Sequence, residues 1–85
     1  MQWPESQEWR GGEIKTFQFE NGYGASMVRF PGSYGYENSL WEIAVLSDGK
    51  ICYDTPITDD VIGHLNDAEA DAILEDIARL PSTKL

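Results

Sequence analysis

The chain has 85 residues, 41% of them apolar, with three Trp, four Tyr and three Phe, and its 15 acidic against 6 basic residues leave a net charge of −9. A chain of that length makes one domain, burying about 60–65% of its unfolded surface. It is too apolar for a disordered acidic tail, and it carries the wrong sign of charge for direct binding to nucleic acid or an anionic membrane.

Residues 1–12 read as an N-terminal arm within a single domain spanning 1–85. The start, Met1-Gln2-Trp3-Pro4-Glu5, lacks the basic and apolar regions of a secretory signal, and no apolar run approaches the roughly 18 residues that span a bilayer. Cys52 stands alone, so an internal disulfide is excluded and the thiol reads as a small residue of an apolar strand. Together these point to a soluble protein of a reducing, cytoplasmic setting.

The first strand is predicted from Ile14 to Glu20, turning at Asn21-Gly22 into a second from Gly24 to Phe30, because Asn-Gly between apolar runs is the strongest short hairpin signal. A two-residue turn sets Glu20 opposite Tyr23 and Lys15 opposite Val28, with Phe17, Phe19, Val28 and Phe30 on one face. A loop, Pro31 to Asn38, leads to a third strand, Leu40 to Ser47, which turns at Asp48-Gly49 and returns from Lys50 to Asp54. Its register puts Val45 opposite Cys52 and Leu46 opposite Ile51. One face then shows Trp41, Ile43, Val45 and Cys52, and the other Leu40, Ala44, Leu46, Ile51 and Tyr53.

Thr58 reads as the cap of a short helix, Asp59 to Leu65, with two aspartates in the first turn where the helix dipole favours them. Asn66-Asp67-Ala68-Glu69 has the outline of a capping box. Ala70, Ile73, Leu74, Ile77 and Leu80 follow at helical spacing until Pro81. The expected fold is therefore α+β: a four-stranded antiparallel meander of two hairpins over 14–54, then a helical segment over 58–80 whose short and long helices pack on one face. The long helix, about 21 Å by 10 Å, covers two strands spaced about 4.8 Å apart and the short helix the rest. The opposite face then needs a cover, either the arm folding back with Trp3 and Trp9 or a second copy of the chain, and the homodimer is the favoured expectation.

Sites of chemistry are sparse. His64 with Asp60 four residues earlier would share a helix face, but two ligands do not make a zinc site, and no nucleophile spacing accompanies them. The glycines of Asn21-Gly22-Tyr23-Gly24 precede no helix and read as turn residues rather than a phosphate cradle. Asp59-Asp60 and Glu75-Asp76 lack the ladder and central glycine of a calcium loop. No catalytic residue, metal ligand or cofactor is assigned. The loop Pro31 to Asn38 has the Tyr, Gly, Ser and Asn composition of binding loops, so Tyr23, Tyr34 and Tyr36 are candidate anchors for a partner.

Between Ile51 and Ala78 lie eight acidic residues and no Lys or Arg. On the second helix Asp67, Asp71 and Glu75 form a row whose like charges cost a few tenths of a kcal/mol per pair, and they are the candidate acidic partner-binding residues. The row offers one charge per about 6 Å, half the density of a nucleic-acid strand.

Asn21 to Ser26, Ser33-Tyr34-Gly35, Leu40 to Leu46 with Asp48-Gly49, and Tyr53 to Thr58 leading to Asp60 to Gly63 together resemble small uncharacterised proteins of tailed bacteriophages and prophages, over about Phe19 to Leu80. That resemblance implies a role during infection in the bacterial host cytoplasm and attaches no activity. The expected function is that of a non-enzymatic acidic accessory protein that binds a host or phage protein with a basic surface. Two alternatives are a nucleic-acid mimic that inhibits a host DNA- or RNA-binding enzyme, and a small nucleotide-binding protein or enzyme using Asp60 and His64.

Overall fold

In a computed structural model, residues 1–58 and 60–82 are described. They form an α+β fold with strands β1 (Gln7–Trp9), β2 (Gly12–Gln18), β3 (Tyr23–Arg29), β4 (Trp41–Ser47), β5 (Lys50–Ile51) and β6 (Val61–Leu65), followed by helix α1 (Asp67–Ala78). The sheet is open and antiparallel in the order β1-β2-β3-β4-β5, and β6 also pairs with β4. Residues Leu46 and Ser47 of β4 pair with β5, while Trp41, Ile43 and Ala44 pair with β6. Two short strands thus share one edge of β4.

The second predicted hairpin forms in its expected register, with Leu46 opposite Ile51 and the Cys52 N–H donating to the Val45 carbonyl at 2.8 Å. Asp48 and Gly49, at φ 53° and 78°, make the tight turn whose twist suits adjoining strands. The return strand ends at Ile51, short of the expected Asp54.

The first hairpin differs by one residue. Lys15 lies opposite Met27 and Ile14 opposite Val28, because Asn21-Gly22 does not make a two-residue turn. Phe19 N–H donates to the Tyr23 carbonyl and Gly22 N–H to the Phe19 carbonyl, and Gly22 alone of the pair has positive φ, 91°. This is a type I turn closed by a glycine bulge. The slip moves the faces: Phe17 shares one with Ala25 and Met27, while Val28 goes to the other with Ile14. Phe19 still stacks on Phe17, ring centres 6.1 Å apart.

A tertiary demand explains the turn. Asn21 Nδ2 donates to the carbonyls of Ile77, Ala78 and Leu80 at 2.9, 3.2 and 2.9 Å, and its Oδ1 accepts from Tyr23 N–H at 3.0 Å. The last carbonyls of a helix have no partner within it, and Asn21 supplies one from the sheet.

The short helix is replaced by a strand. Val61 to Leu65 pair with β4 instead of coiling, since Val61, Ile62 and Gly63 are weak helix formers and an unpaired β4 edge offers a ladder of hydrogen bonds. Thr58 Oγ1 accepts from Asp60 N–H at 3.1 Å, making a local turn rather than a helix cap. Asp59 lies outside the described residues. The longer helix begins as predicted: Asn66 Oδ1 accepts from Glu69 N–H at 2.8 Å, and Glu69 Oε1 from Asn66 N–H at 3.0 Å.

The core lies between one face of the sheet and α1. Trp41, Met27, Ile43, Val45, Leu74 and Ile77 are fully buried there, each large apolar side chain contributing about 1.5–3 kcal/mol. The N-terminal segment is more than an arm, because β1 pairs with β2 through a turn at Arg10-Gly11. Residues before β1 fold onto the helix face, where Trp3 meets Trp41 edge-on at 5.9 Å between ring centres. Trp3 therefore fills the space beside α1 expected for the short helix, rather than covering the second face. On that second face Thr16 and Gln18 are exposed, and Leu46 is half-buried. Ile51 is 47% exposed.

Candidate partner-binding site

The loop between β3 and β4 is fastened at several points. Ser33, buried, donates its hydroxyl to the Phe30 carbonyl at 2.8 Å and accepts from Phe30 N–H at 3.0 Å. Tyr34 N–H donates to Glu42 Oε1 at 3.2 Å, and the Tyr34 carbonyl accepts from His64 N–H at 3.4 Å. Leu40 N–H and Asn38 N–H both donate to the Gly35 carbonyl, closing a 3-10 turn at Tyr36–Asn38.

β6 supplies the seat for this loop. Two residues of β6, Gly63 and His64, face a single residue of β4, Glu42, so the strand bulges. A side chain at Gly63 would sit 2.5 Å from Tyr34 Cβ, so glycine is what lets the loop come down on the strand. His64 takes a left-handed φ of 59°, and its ring lies 6.1 Å from that of Tyr34. The outcome is a tyrosine fixed through its backbone yet 61% exposed.

Tyr36 is 37% exposed at the rim of a cleft of about 480 Å³, lined by Gly12, Glu13, Arg29, Tyr36, Glu37 and Ser39. Arg29 is held there by the Glu13 carboxylate at 2.9 Å, by the Ser39 carbonyl at 2.9 Å, and over the Trp41 ring at 3.8 Å. The Ser6 hydroxyl, and after it Arg29, keep the Glu13 carboxyl below its ordinary range despite some desolvation. Arg29 thereby ties the loop to the core. Tyr23 is placed elsewhere: it opens β3, half-buried against the core, about 20 Å along the strand from the loop.

The acidic row of α1 is largely engaged. Asp67 Oδ1 accepts from the Trp41 indole N–H at 2.8 Å, and Asp71 Oδ1 from the Trp3 indole N–H at 2.9 Å. The Met1 ammonium lies 3.4 Å from both Asp71 and Glu75. Hydrogen bonds to charged acceptors are the stronger kind, and here they offset the repulsion along the row. Two tryptophans and a helix flank thus form one structural unit, a role the sequence reading did not give Asp67 and Asp71. Its signal was present, since a buried indole N–H requires an acceptor.

No family model, curated protein or solved structure matches the chain. No helix among the described residues is long and apolar enough to cross a membrane. Asp60 and His64 do not share a helix face, because Asp60 precedes β6 and His64 lies within that strand. The exposed carboxylates are instead spread over the surface, at Glu37, Asp48, Asp54, Asp60, Glu69 and Asp76 among others. The Tyr34 surface offers aromatic contact, hydrogen bonding and negative charge.

Proposed function

We propose that this protein performs no chemistry and acts as an acidic accessory protein of a tailed bacteriophage or prophage, binding a host or phage protein in the bacterial cytoplasm. The observation that carries the reading is Tyr34, whose main chain is fixed on both sides while its ring stands out in solvent. A ring held in this way loses little conformational freedom on binding, which is the property of an effective aromatic anchor. Glu37, exposed three residues after Tyr34, and the net charge of −9 favour a partner with basic residues around an apolar pocket. The resemblance to phage proteins supports the setting.

The test uses Tyr34→Ala. The variant keeps Cβ and both main-chain hydrogen bonds, so stability should stay within about 0.5 kcal/mol of the parent, as for other surface changes. Retention of the partner from a bacterial lysate should fall about tenfold or more, the effect of losing a hot-spot residue. Capture by the parent should persist when ionic strength is raised to about 1 M, where the Debye length is about 3 Å. Undiminished retention by the variant would remove the anchor, and capture lost entirely to salt would favour a charge-only decoy.

A further inference from the structure

The contact between residues 1–6 and α1 has the form of a bound peptide. The segment has no secondary structure, and all of it is exposed except Trp3. It is held by side chains: the Trp3 indole donates to Asp71 and meets Trp41 edge-on, Lys15 Nζ donates to the Pro4 carbonyl at 2.6 Å, and at its far end the Ser6 hydroxyl donates to Glu13. One turn earlier on α1, Asp67 takes the indole of Trp41, which belongs to the core. The two indole–carboxylate pairs differ in one respect: Trp41 is 2% exposed and cannot leave without unfolding, whereas Trp3 is reached by solvent and sits on a segment outside the ladder.

We propose that the groove formed by Trp41, Asp71 and Glu75 is a second binding site, and that the N-terminal segment is a strap lying in it until displaced. The occupant it takes in trans is an extended segment of a partner protein carrying a tryptophan, with a positive charge just before it. The indole reaches Asp71 and packs its edge on Trp41, and the charge meets Asp71 and Glu75, where an ammonium already lies 3.4 Å away in cis. Asp71 and Glu75 are already 36% and 37% exposed beside the strap, so its removal frees them of the Trp3 indole and the Met1 ammonium and leaves the Trp41 ring open beside them. This groove lies apart from the Tyr34 ring but shares Trp41 with Arg29, which ties the Tyr34 loop to the core.

Hydrogen exchange of the indole protons in the full-length protein tests it. A strap opens locally, and local opening exchanges faster than global unfolding. The Trp3 indole proton should exchange at least about 100-fold faster than that of Trp41, and the Trp3 rate alone should be insensitive to mild denaturant. Equal rates with equal denaturant dependence would make the segment part of the core and overturn the proposal. In the full-length Trp3→Ala variant, a peptide of residues 1–6 should bind, shifting the Trp41 indole resonance, while its Trp-to-Ala counterpart should not. Failure of that variant to fold, or failure of the folded variant to bind the peptide, would equally overturn it. A dimer in sedimentation that forms through arms exchanged between copies would overturn the partner-segment reading.

Discussion

Replacing Trp41 by alanine is expected to destabilise the protein by about 3–5 kcal/mol, the range for truncating a large buried aromatic, which is much of the total stability of a small domain. Three further losses add to the cavity. Asp67 loses the indole that bonds it, Arg29 loses the ring beneath its guanidinium, and Trp3 loses its edge-to-face neighbour. Urea denaturation followed by far-ultraviolet circular dichroism measures the change. Trp41→Phe separates the contributions: it keeps most of the packing but leaves Asp67 without its donor, and should cost less than the alanine variant. A loss below about 1 kcal/mol for Trp41→Ala would mean that the core does not centre on this side chain.

The second large effect lies at Asn21. Its amide, with two protons to donate, lies within hydrogen-bond distance of three carbonyls at and just past the end of α1, those of Ile77, Ala78 and Leu80, while its own oxygen holds the Tyr23 N–H. Substitution by alanine strands part-buried carbonyls, which should cost about 1–3 kcal/mol. Asn21→Asp should be no better, because a carboxylate keeps the acceptor for Tyr23 but faces the carbonyls with a negative charge at the helix C-terminus, where the dipole is unfavourable to anions. Thermal unfolding of the two variants checks this. Equal stability of parent and Asn21→Asp would show that the bonds to α1 contribute nothing.

These two residues also mark what the sequence made legible and what it did not. The α+β class, the Asp48-Gly49 hairpin and the Asn66 capping box were readable because each is decided by neighbours in sequence. The Asn21-Gly22 turn was readable as a turn but not in its type, since the choice depends on the C-terminal end of α1, more than fifty residues further on. Val61 to Leu65 misled for the same reason: caps and aspartates described a helix start, while the unpaired edge of β4 decided the outcome. At β1, the turn at Arg10-Gly11 has only one glycine to mark it, and Arg10 takes a left-handed φ of 49° that its residue type does not announce.

The acidic row shows the same division for the site. Spacing correctly placed Asp67, Asp71 and Glu75 on one flank of α1, but spacing cannot say that tryptophans from β4 and the N-terminal segment lie against them. Loop composition singles out Tyr34 and Tyr36, and both side chains are exposed. The glycine and bulge in β6 that fix Tyr34 were not recognisable, because they appear only once Gly63 is seen in a strand.

The most direct measurement on the binding reading is site-specific photocrosslinking from position 34. A benzophenone side chain in place of Tyr34, irradiated in a lysate of phage-infected bacteria, should capture one dominant protein, while the same group in place of Thr16, exposed on the second sheet face, should capture little. Equal, diffuse labelling from the two positions, or no protein adduct at position 34, would contradict the account.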